Sequence, residues 1–143
     1  MQDYVEYLNE KIDVMVERSP FLKLIGIKVT DIQDGVAVGT IQVSADEHTN
    51  LYQIAHGGTL ASLADTVMGL ACATTGKKVV TLDINMNYLG AAVVGDVVTA
   101  TAKLIHGGKS TMVVECDLTK ENRQLIGKAR ATFFVTGMLG RQW

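Results

Sequence analysis

The chain has 143 residues, with 13 basic and 15 acidic side chains and a formal net charge of −2 at pH 7. Hydrophobic residues make up 48% of it and charged residues 20%, which excludes a disordered chain, because such chains are rich in charge and poor in apolar side chains. The slightly negative charge argues against a nucleic-acid partner. The length fits one domain, residues 1–143, and the high apolar fraction predicts that some apolar surface is buried against another subunit.

The N-terminal residues contain no basic segment followed by an apolar run, so the sequence predicts no secretory signal. The longest weakly charged stretch, from Gly57 to Gly76, contains Asp65 and many Thr, Ser and Gly residues, so no membrane association is predicted. Cys72 and Cys116 each lie in an apolar pattern and do not form a C-x-x-C pair. We therefore expect two reduced thiols in the core of a cytoplasmic protein. The three histidines lack the paired spacing of metal ligands and have no thiol partners, so no metal is predicted. The sequence contains no Walker or Rossmann glycine pattern, and no cofactor is predicted.

Residues 1–18 show helical periodicity that ends at Ser19-Pro20; the apolar positions are Tyr4, Leu8, Ile12 and Met15. This pattern predicts an amphipathic N-terminal helix. A short turn or helix follows, and then period-two alternation predicts two strands, at about residues 28–31 and 36–43.

A segment from His56 to Gly76 is small or apolar all round, which predicts a central helix that is covered on every side. Gly76 is expected near its C-terminal cap, with Lys77 and Lys78 placed favourably for the helix dipole. Four more strands are predicted, at about 79–88, 96–106, 110–119 and 124–136, joined mainly by tight turns. The predicted class is α+β: an antiparallel sheet of five to six strands wrapped around a long central helix.

Strict alternation also assigns side chains to faces of these strands. It places Thr81 on a polar face with Asp83, and Tyr88 on the opposite, apolar face. In the last strand it places Leu125 on the same face as Ala129.

Asp65 is the only ionised residue between His56 and Lys77, and it lies inside the predicted central helix. A buried and unpaired carboxylate is costly, so its presence favours a functional acid over one that is merely satisfied by a neighbouring partner.

His56-Gly57-Gly58 begins the same helix, where free backbone N–H groups can bind an anion or a developing oxyanion. On its own the string favours a simple glycine-rich helix start, because it recurs at His106-Gly107-Gly108 in a predicted hairpin turn. Asp65 follows Gly57 by eight residues, which is about 12 Å along a helix axis. One helix therefore cannot present both groups to a single carbonyl, but two antiparallel copies across a two-fold axis can. If Asp65 is catalytic, the sequence predicts a dimer with two shared sites.

Two segments, NLYQIAHGG at residues 50–58 and LADT at 63–66, resemble the motif of hotdog-fold acyl-CoA thioesterases, most closely the PaaI-like branch of phenylacetic acid degradation. The resemblance implies hydrolysis of a CoA thioester to a free acid and CoA by homodimers that assemble into a homotetramer. It implies that Asp65 activates water or attacks the thioester directly, and that Thr81 helps to orient the water. The backbone N–H of Gly57, with Gly58 beside it, would polarise the carbonyl oxygen from the neighbouring subunit.

The resemblance further implies that Asn50 holds the carbonyl oxygen or the thioester, although an Asx turn is the simpler explanation of this residue alone. His56 would support the loop geometry. Gln53 occupies a position where the family often has glycine, so either the turn differs or Gln53 faces the ligand. Lys109 is a candidate phosphate partner by charge alone.

Two other functions remain open at this stage. A non-catalytic protein of the same fold would bind CoA esters without turnover. A hotdog dehydratase is less favoured, because it normally uses a histidine with a glutamate on the helix, and this helix has Asp65 and no glutamate.

Overall fold

A computed structural model of the chain describes residues 2–140. The helices are α1 Gln2–Glu10, α2 Ile12–Glu17, α3 Pro20–Ile25 and α4 Gly57–Ala73. The strands are β1 Lys28–Gln33, β2 Val36–Gln42, β3 Lys77–Tyr88, β4 Val97–Gly107, β5 Thr111–Lys120 and β6 Gln124–Met138, with a 3₁₀ turn at Glu121–Arg123.

The six strands form one antiparallel sheet in the order β1-β2-β4-β5-β6-β3, and α4 packs against it. The predicted α+β hotdog architecture is therefore confirmed. Strand β3 follows α4 in the chain and lies at one edge of the sheet, beside β6. This position matters because β3 runs back along α4 and leaves its other edge open.

Helix α4 supplies much of the core, through one face made of Leu60, Leu63, Ala64, Val67, Met68, Ala71 and Cys72. The expectation that this helix is covered on every side is wrong for the single chain. Its opposite face, which includes Ala61, Asp65 and Gly69, is only half-buried, because the sheet wraps one side of the helix.

The end of α4 also differs from the expectation. The helix ends at Ala73, and Gly76 turns the chain with a φ of +80°, so Lys77 and Lys78 begin β3 instead of lying in the last helical turn. The Lys77 amine donates a hydrogen bond to the Gly108 carbonyl at 3.0 Å, which ties the start of β3 to the turn between β4 and β5.

The predicted N-terminal helix is two helices, α1 and α2, with a turn at Lys11; Met1 lies outside the described residues. Leu8 and Met15 form a small second core with Ile32 and Leu139, as the helical periodicity predicts. The Asn9 amide donates to the Ile32 carbonyl at 2.7 Å and fastens this segment to β1.

The predicted facing of Leu125 is wrong. Leu125 is exposed and Ile126 is buried, because the register between β5 and β6 shifts between Leu118 and Thr119 and reverses the alternation there. Cys72 and Cys116 are buried free thiols, as predicted, and burial raises the pKa of each to about 12. None of the helices within residues 2–140 combines the length and apolar character that a membrane span requires.

Candidate active site

Asp65 and Thr81 form a direct pair between α4 and β3. The Thr81 hydroxyl donates a hydrogen bond to Asp65 Oδ1 at 2.7 Å. Asp65 is half-buried, which corrects the expectation of a buried carboxylate, since it lies on the open face of α4. Within residues 2–140, the Asp65 carboxylate takes part in no ion pair and accepts a side-chain hydrogen bond from Thr81 alone, at Oδ1, so Oδ2 stays available to a water or a substrate.

Thr81 reaches Asp65 because of a β-bulge. The pairing of β3 with β6 slips between Thr81 and Asp83, so Leu82 is an extra residue that shifts the alternation by one. Before the bulge Thr81 faces α4, and after it Ile84 and Tyr88 face α4. The prediction that Thr81 and Tyr88 lie on opposite faces is therefore wrong, and the bulge is the reason.

The loop before α4 is an Asx turn built on Asn50. Its Oδ1 accepts hydrogen bonds from the backbone N–H groups of Tyr52 at 2.8 Å and Ile54 at 3.3 Å. Gln53 is exposed and adopts a φ of +61°, in the left-handed region that glycine favours. The chain thus keeps a glycine-like turn with a glutamine at its tip, and the Asx turn suggested for Asn50 is present.

His48 holds this loop from inside, a role that sequence reasoning missed. Its ring is buried, accepting from the Ser44 N–H at 2.8 Å and lying 2.7 Å from the Ile25 carbonyl. Its carbonyl accepts from the His56 N–H at 2.7 Å. Both ring nitrogens are engaged, so His48 anchors the backbone that leads into α4.

The N-terminus of α4 presents one free N–H group from the His-Gly-Gly segment. His56 caps the helix, and its Nδ1 accepts the hydrogen bond of the Gly58 N–H at 3.0 Å. Gly58 was expected to bind substrate beside Gly57, but its N–H is already hydrogen-bonded within the helix cap. The Gly57 N–H donates to no group within the described residues and stays available.

Tyr88 fixes Gly57 from β3. Its hydroxyl donates to the Gly57 carbonyl at 2.7 Å, and a Cβ added at Gly57 would lie 3.1 Å from the ring. Only glycine fits here without pressing on the ring. Sequence reasoning missed this contact, because the alternation placed Tyr88 on the apolar face and gave no register between α4 and β3.

Within one chain, the predicted site residues of α4, β3 and the preceding loop line three separate depressions. Asp65 and Thr81 line a cavity of about 470 Å³, whereas Gly57 and Tyr88 line a separate cavity of about 390 Å³. Asn50 and His56 lie at the mouth of a third depression. Asp65 follows Gly57 by eight residues, which is about 12 Å along the helix axis, so a single chain does not bring Asp65 and Gly57 together.

Lys109 lies exposed on the turn between β4 and β5 and lines neither cavity. Across residues 2–140, the structure contains no cluster of three or more histidine, cysteine, aspartate or glutamate side chains that could hold a metal ion.

Residues 52–126 match the sequence model of the thioesterase superfamily, which covers α4, β3, β4 and β5 together with the Gly57 and Asp65 positions. The chain belongs to the thioesterase superfamily. The predicted family is thus confirmed, and with it the general class of thioester hydrolases.

Individual relatives place the chain more narrowly within the thioesterase superfamily. It is 34% identical to the acyl-coenzyme A thioesterase PaaI of Escherichia coli over 81% of this chain and 82% of that protein. The structure of E. coli PaaI covers 94% of this chain and 97% of its own, with a TM-score of 0.87 and 30% identity. Human acyl-coenzyme A thioesterase 13 is 31% identical over 92% of this chain and 96% of that protein.

One of the structures similar to this chain contains coenzyme A. This hypothetical thioesterase from Streptococcus pneumoniae is 33% identical, with a TM-score of 0.79 over 83% of this chain and 93% of its own.

Proposed function

We propose that this protein is an acyl-CoA thioesterase that hydrolyses a thioester to a free acid and CoA at a site shared by two copies of the chain. The observation that carries the proposal is the 2.7 Å hydrogen bond from Thr81 to Asp65 on a cavity wall, in a chain related to PaaI along most of its length. The bound coenzyme A of the pneumococcal relative supports a CoA ester as the ligand.

Asp65 acts on the thioester carbon, either as a general base that takes a proton from water or as the attacking nucleophile. The Thr81 hydroxyl holds one carboxylate oxygen, so the other is aimed at the water or the carbonyl. A thiol leaves readily as a thiolate because its pKa is about 8.5, so the reaction depends less on a dedicated acid than amide hydrolysis does.

The carbonyl oxygen gains negative charge as the tetrahedral intermediate forms, and it needs a donor at that point. The free N–H of Gly57 at the positive end of α4 supplies it. Tyr88 positions Gly57, and His56 holds the cap with Gly58. The amide nitrogen of Asn50 makes no hydrogen bond within residues 2–140, so it can also donate to the thioester.

Two copies of the chain complete the site. Tyr88 lies beside Gly57 and Thr81 beside Asp65, so β3 and α4 run antiparallel with matched positions. Pairing the open edge of β3 with its own copy, centred near residues 84 and 85, brings Thr81 opposite the partner's Tyr88. The same two-fold axis then sets Asp65 against the partner's Gly57.

The surface of β3 supports this homodimer. It is a 12-residue edge strand on which Val80 and Leu82 are more than half exposed, and long apolar edges of this kind invite pairing with another chain. Two such dimers then assemble into a homotetramer, and the protein acts in the cytoplasm. Gln53 and Lys109 are exposed, and we assign both to the outer side of the site, where they would face CoA.

Thiol release from a panel of CoA thioesters tests the activity. We expect the purified dimer to hydrolyse at least one acyl-CoA of the panel. Tight binding of CoA esters with no thiol release from any member of the panel would instead indicate the non-catalytic binding protein.

A further inference from the structure

The cavity that contains Asp65 and Thr81 extends away from them between the N-terminal helices and α4. Its volume is about 470 Å³, within the range of about 300–1,000 Å³ that small-molecule pockets occupy. Met15, Val16 and Leu22 line one side of it, and Gly69 and Leu70 of α4 line another. The proposed reacting carbon thus lies beside a space far larger than a single water requires.

The wall chemistry indicates which part of a CoA ester fits. The side chains from α1 to α3 that line the cavity are mostly apolar, and Phe133 closes it from β6. The cationic side chains Arg18 and Lys78 are exposed, so they lie at its rim. Lys77 also lines the cavity and is half-buried, with its amine hydrogen-bonded to the Gly108 carbonyl. A nucleotide, or the two amides of the pantetheine arm, would lose hydrogen bonds to water inside such walls without replacing them.

We infer that this cavity holds the acyl group and that the N-terminal segment, residues 8–22, limits its length. The inference rests on the proposed thioesterase function. The substrates are thioesters of apolar acyl groups, aliphatic or aryl, that are large enough to fill the cavity, and acetyl thioester is a poor substrate because it leaves most of the cavity empty. The superfamily match begins at residue 52, so this wall belongs to a part of the chain outside the matched segment.

Val16 offers a substitution that narrows the cavity from the N-terminal side. Val16→Phe adds bulk on a half-buried position of α2, and Val14→Phe makes the same change two residues away, off the cavity wall. Gly69→Leu narrows the cavity from α4. Gly69→Ala is a graded comparison, since it fills less of the cavity than leucine and its Cβ would meet only the Phe133 ring edge, at an ordinary 3.7 Å.

The experiment measures kcat/KM for saturated acyl-CoA esters from acetyl to dodecanoyl. For the unchanged protein, we expect kcat/KM to rise with acyl length. We expect Val16→Phe and Gly69→Leu to lower kcat/KM for the dodecanoyl ester at least about tenfold, while the values for the short esters are kept. Val14→Phe should behave like the unchanged protein, and Gly69→Ala should lower the dodecanoyl value less than Gly69→Leu does. Size-exclusion chromatography checks that each variant keeps its oligomeric state, and if one fails, the other still tests the inference from the opposite wall.

A uniform loss across all acyl lengths would overturn the inference, because it would mean that the cavity takes the pantetheine arm or only shapes the fold. Unchanged length dependence in both narrowing variants would overturn it as well. Either result leaves thioester hydrolysis itself intact, whereas absence of turnover with every ester would count against the proposed function.

Discussion

The Thr81 hydroxyl lies 2.7 Å from Asp65 Oδ1, and it does so from a strand whose alternation shifts immediately afterwards. The bulge at Leu82 lets one strand present Thr81 to Asp65 and, seven residues later, Tyr88 to Gly57. Without the extra residue, one of these two side chains would point to the other face of the sheet. The bulge therefore couples β3 to both ends of the proposed site.

Removing the Thr81 hydroxyl should impair turnover while the fold persists. Thr81→Val keeps the shape of the side chain and deletes its hydrogen bond to Asp65. Hydrogen bonds to charged groups are worth about 1.5–3 kcal/mol, so kcat should fall by about 10- to 100-fold. Thr81→Ser keeps the hydroxyl and should retain most of the activity. A loss in Thr81→Ser together with full activity in Thr81→Val would show that the methyl contact, not the hydrogen bond, matters.

Gly57→Pro should abolish the proposed oxyanion donor without breaking the helix. Proline is tolerated at the first position of a helix, and the His56 ψ of 140° is compatible with a following proline. Loss of one such donor lowers kcat by about 10²–10³-fold. Gly57→Ala adds the same Cβ against Tyr88 but keeps the N–H, so the difference between the two variants measures the donor. Equal kcat values for Gly57→Pro and Gly57→Ala would show that the Gly57 N–H is not the oxyanion donor.

Mixing two inactive variants tests the shared site. In a dimer of one Asp65→Asn chain and one Gly57→Pro chain, one site holds both changes and the other holds neither. Refolding the variants together at equal amounts should restore about a quarter of the unchanged activity, since half of the dimers are mixed and each has one intact site. If mixed dimers form but the mixture stays as inactive as the two separate variants, Asp65 and Gly57 of each site come from the same chain.

Gln53 should hold a strained conformation that glycine would relieve. A left-handed φ costs a residue with a Cβ about 1–2 kcal/mol, whereas glycine loses about 0.5–1 kcal/mol more conformational entropy on folding. Gln53→Gly should therefore raise the free energy of unfolding by up to about 1 kcal/mol, as measured by urea denaturation, while Gln53→Ala should not. Marked destabilisation by glycine would mean that the Gln53 side chain stabilises the loop.

Periodicity predicts α4 and the six strands, because apolar spacing distinguishes this helix from the alternating strands around it. It does not predict the turn at Lys11 that divides the N-terminal helix into α1 and α2. It also identified Asp65, since a single acid in an otherwise uncharged helix is visible in the sequence. The bulge at Leu82 could not be predicted from the sequence, because leucine is compatible with a strand whether or not it has a partner on the neighbouring strand. The contact of Tyr88 with Gly57 depends on that bulge and on the register between α4 and β3, which no local pattern contains.

His48 was missed for a related reason. Its ring is satisfied by the backbone of Ser44 and by the Ile25 carbonyl, and Ile25 is 23 residues away in the chain. The half-exposure of Asp65 also could not be predicted, because the composition of α4 does not reveal that the sheet covers only one of its faces.

Replacing Asp65 with asparagine tests the central claim most directly. Thiol release is followed with a thiol reagent, to which Cys72 and Cys116 add little background because burial raises the pKa of each thiol to about 12. Asp46→Asn makes the same change on an exposed loop and serves as the control. We expect Asp65→Asn to lower kcat by about 10²–10⁴-fold while binding of the CoA ester and the dimer mass persist. Undiminished thiol release by the Asp65→Asn dimer would contradict the account.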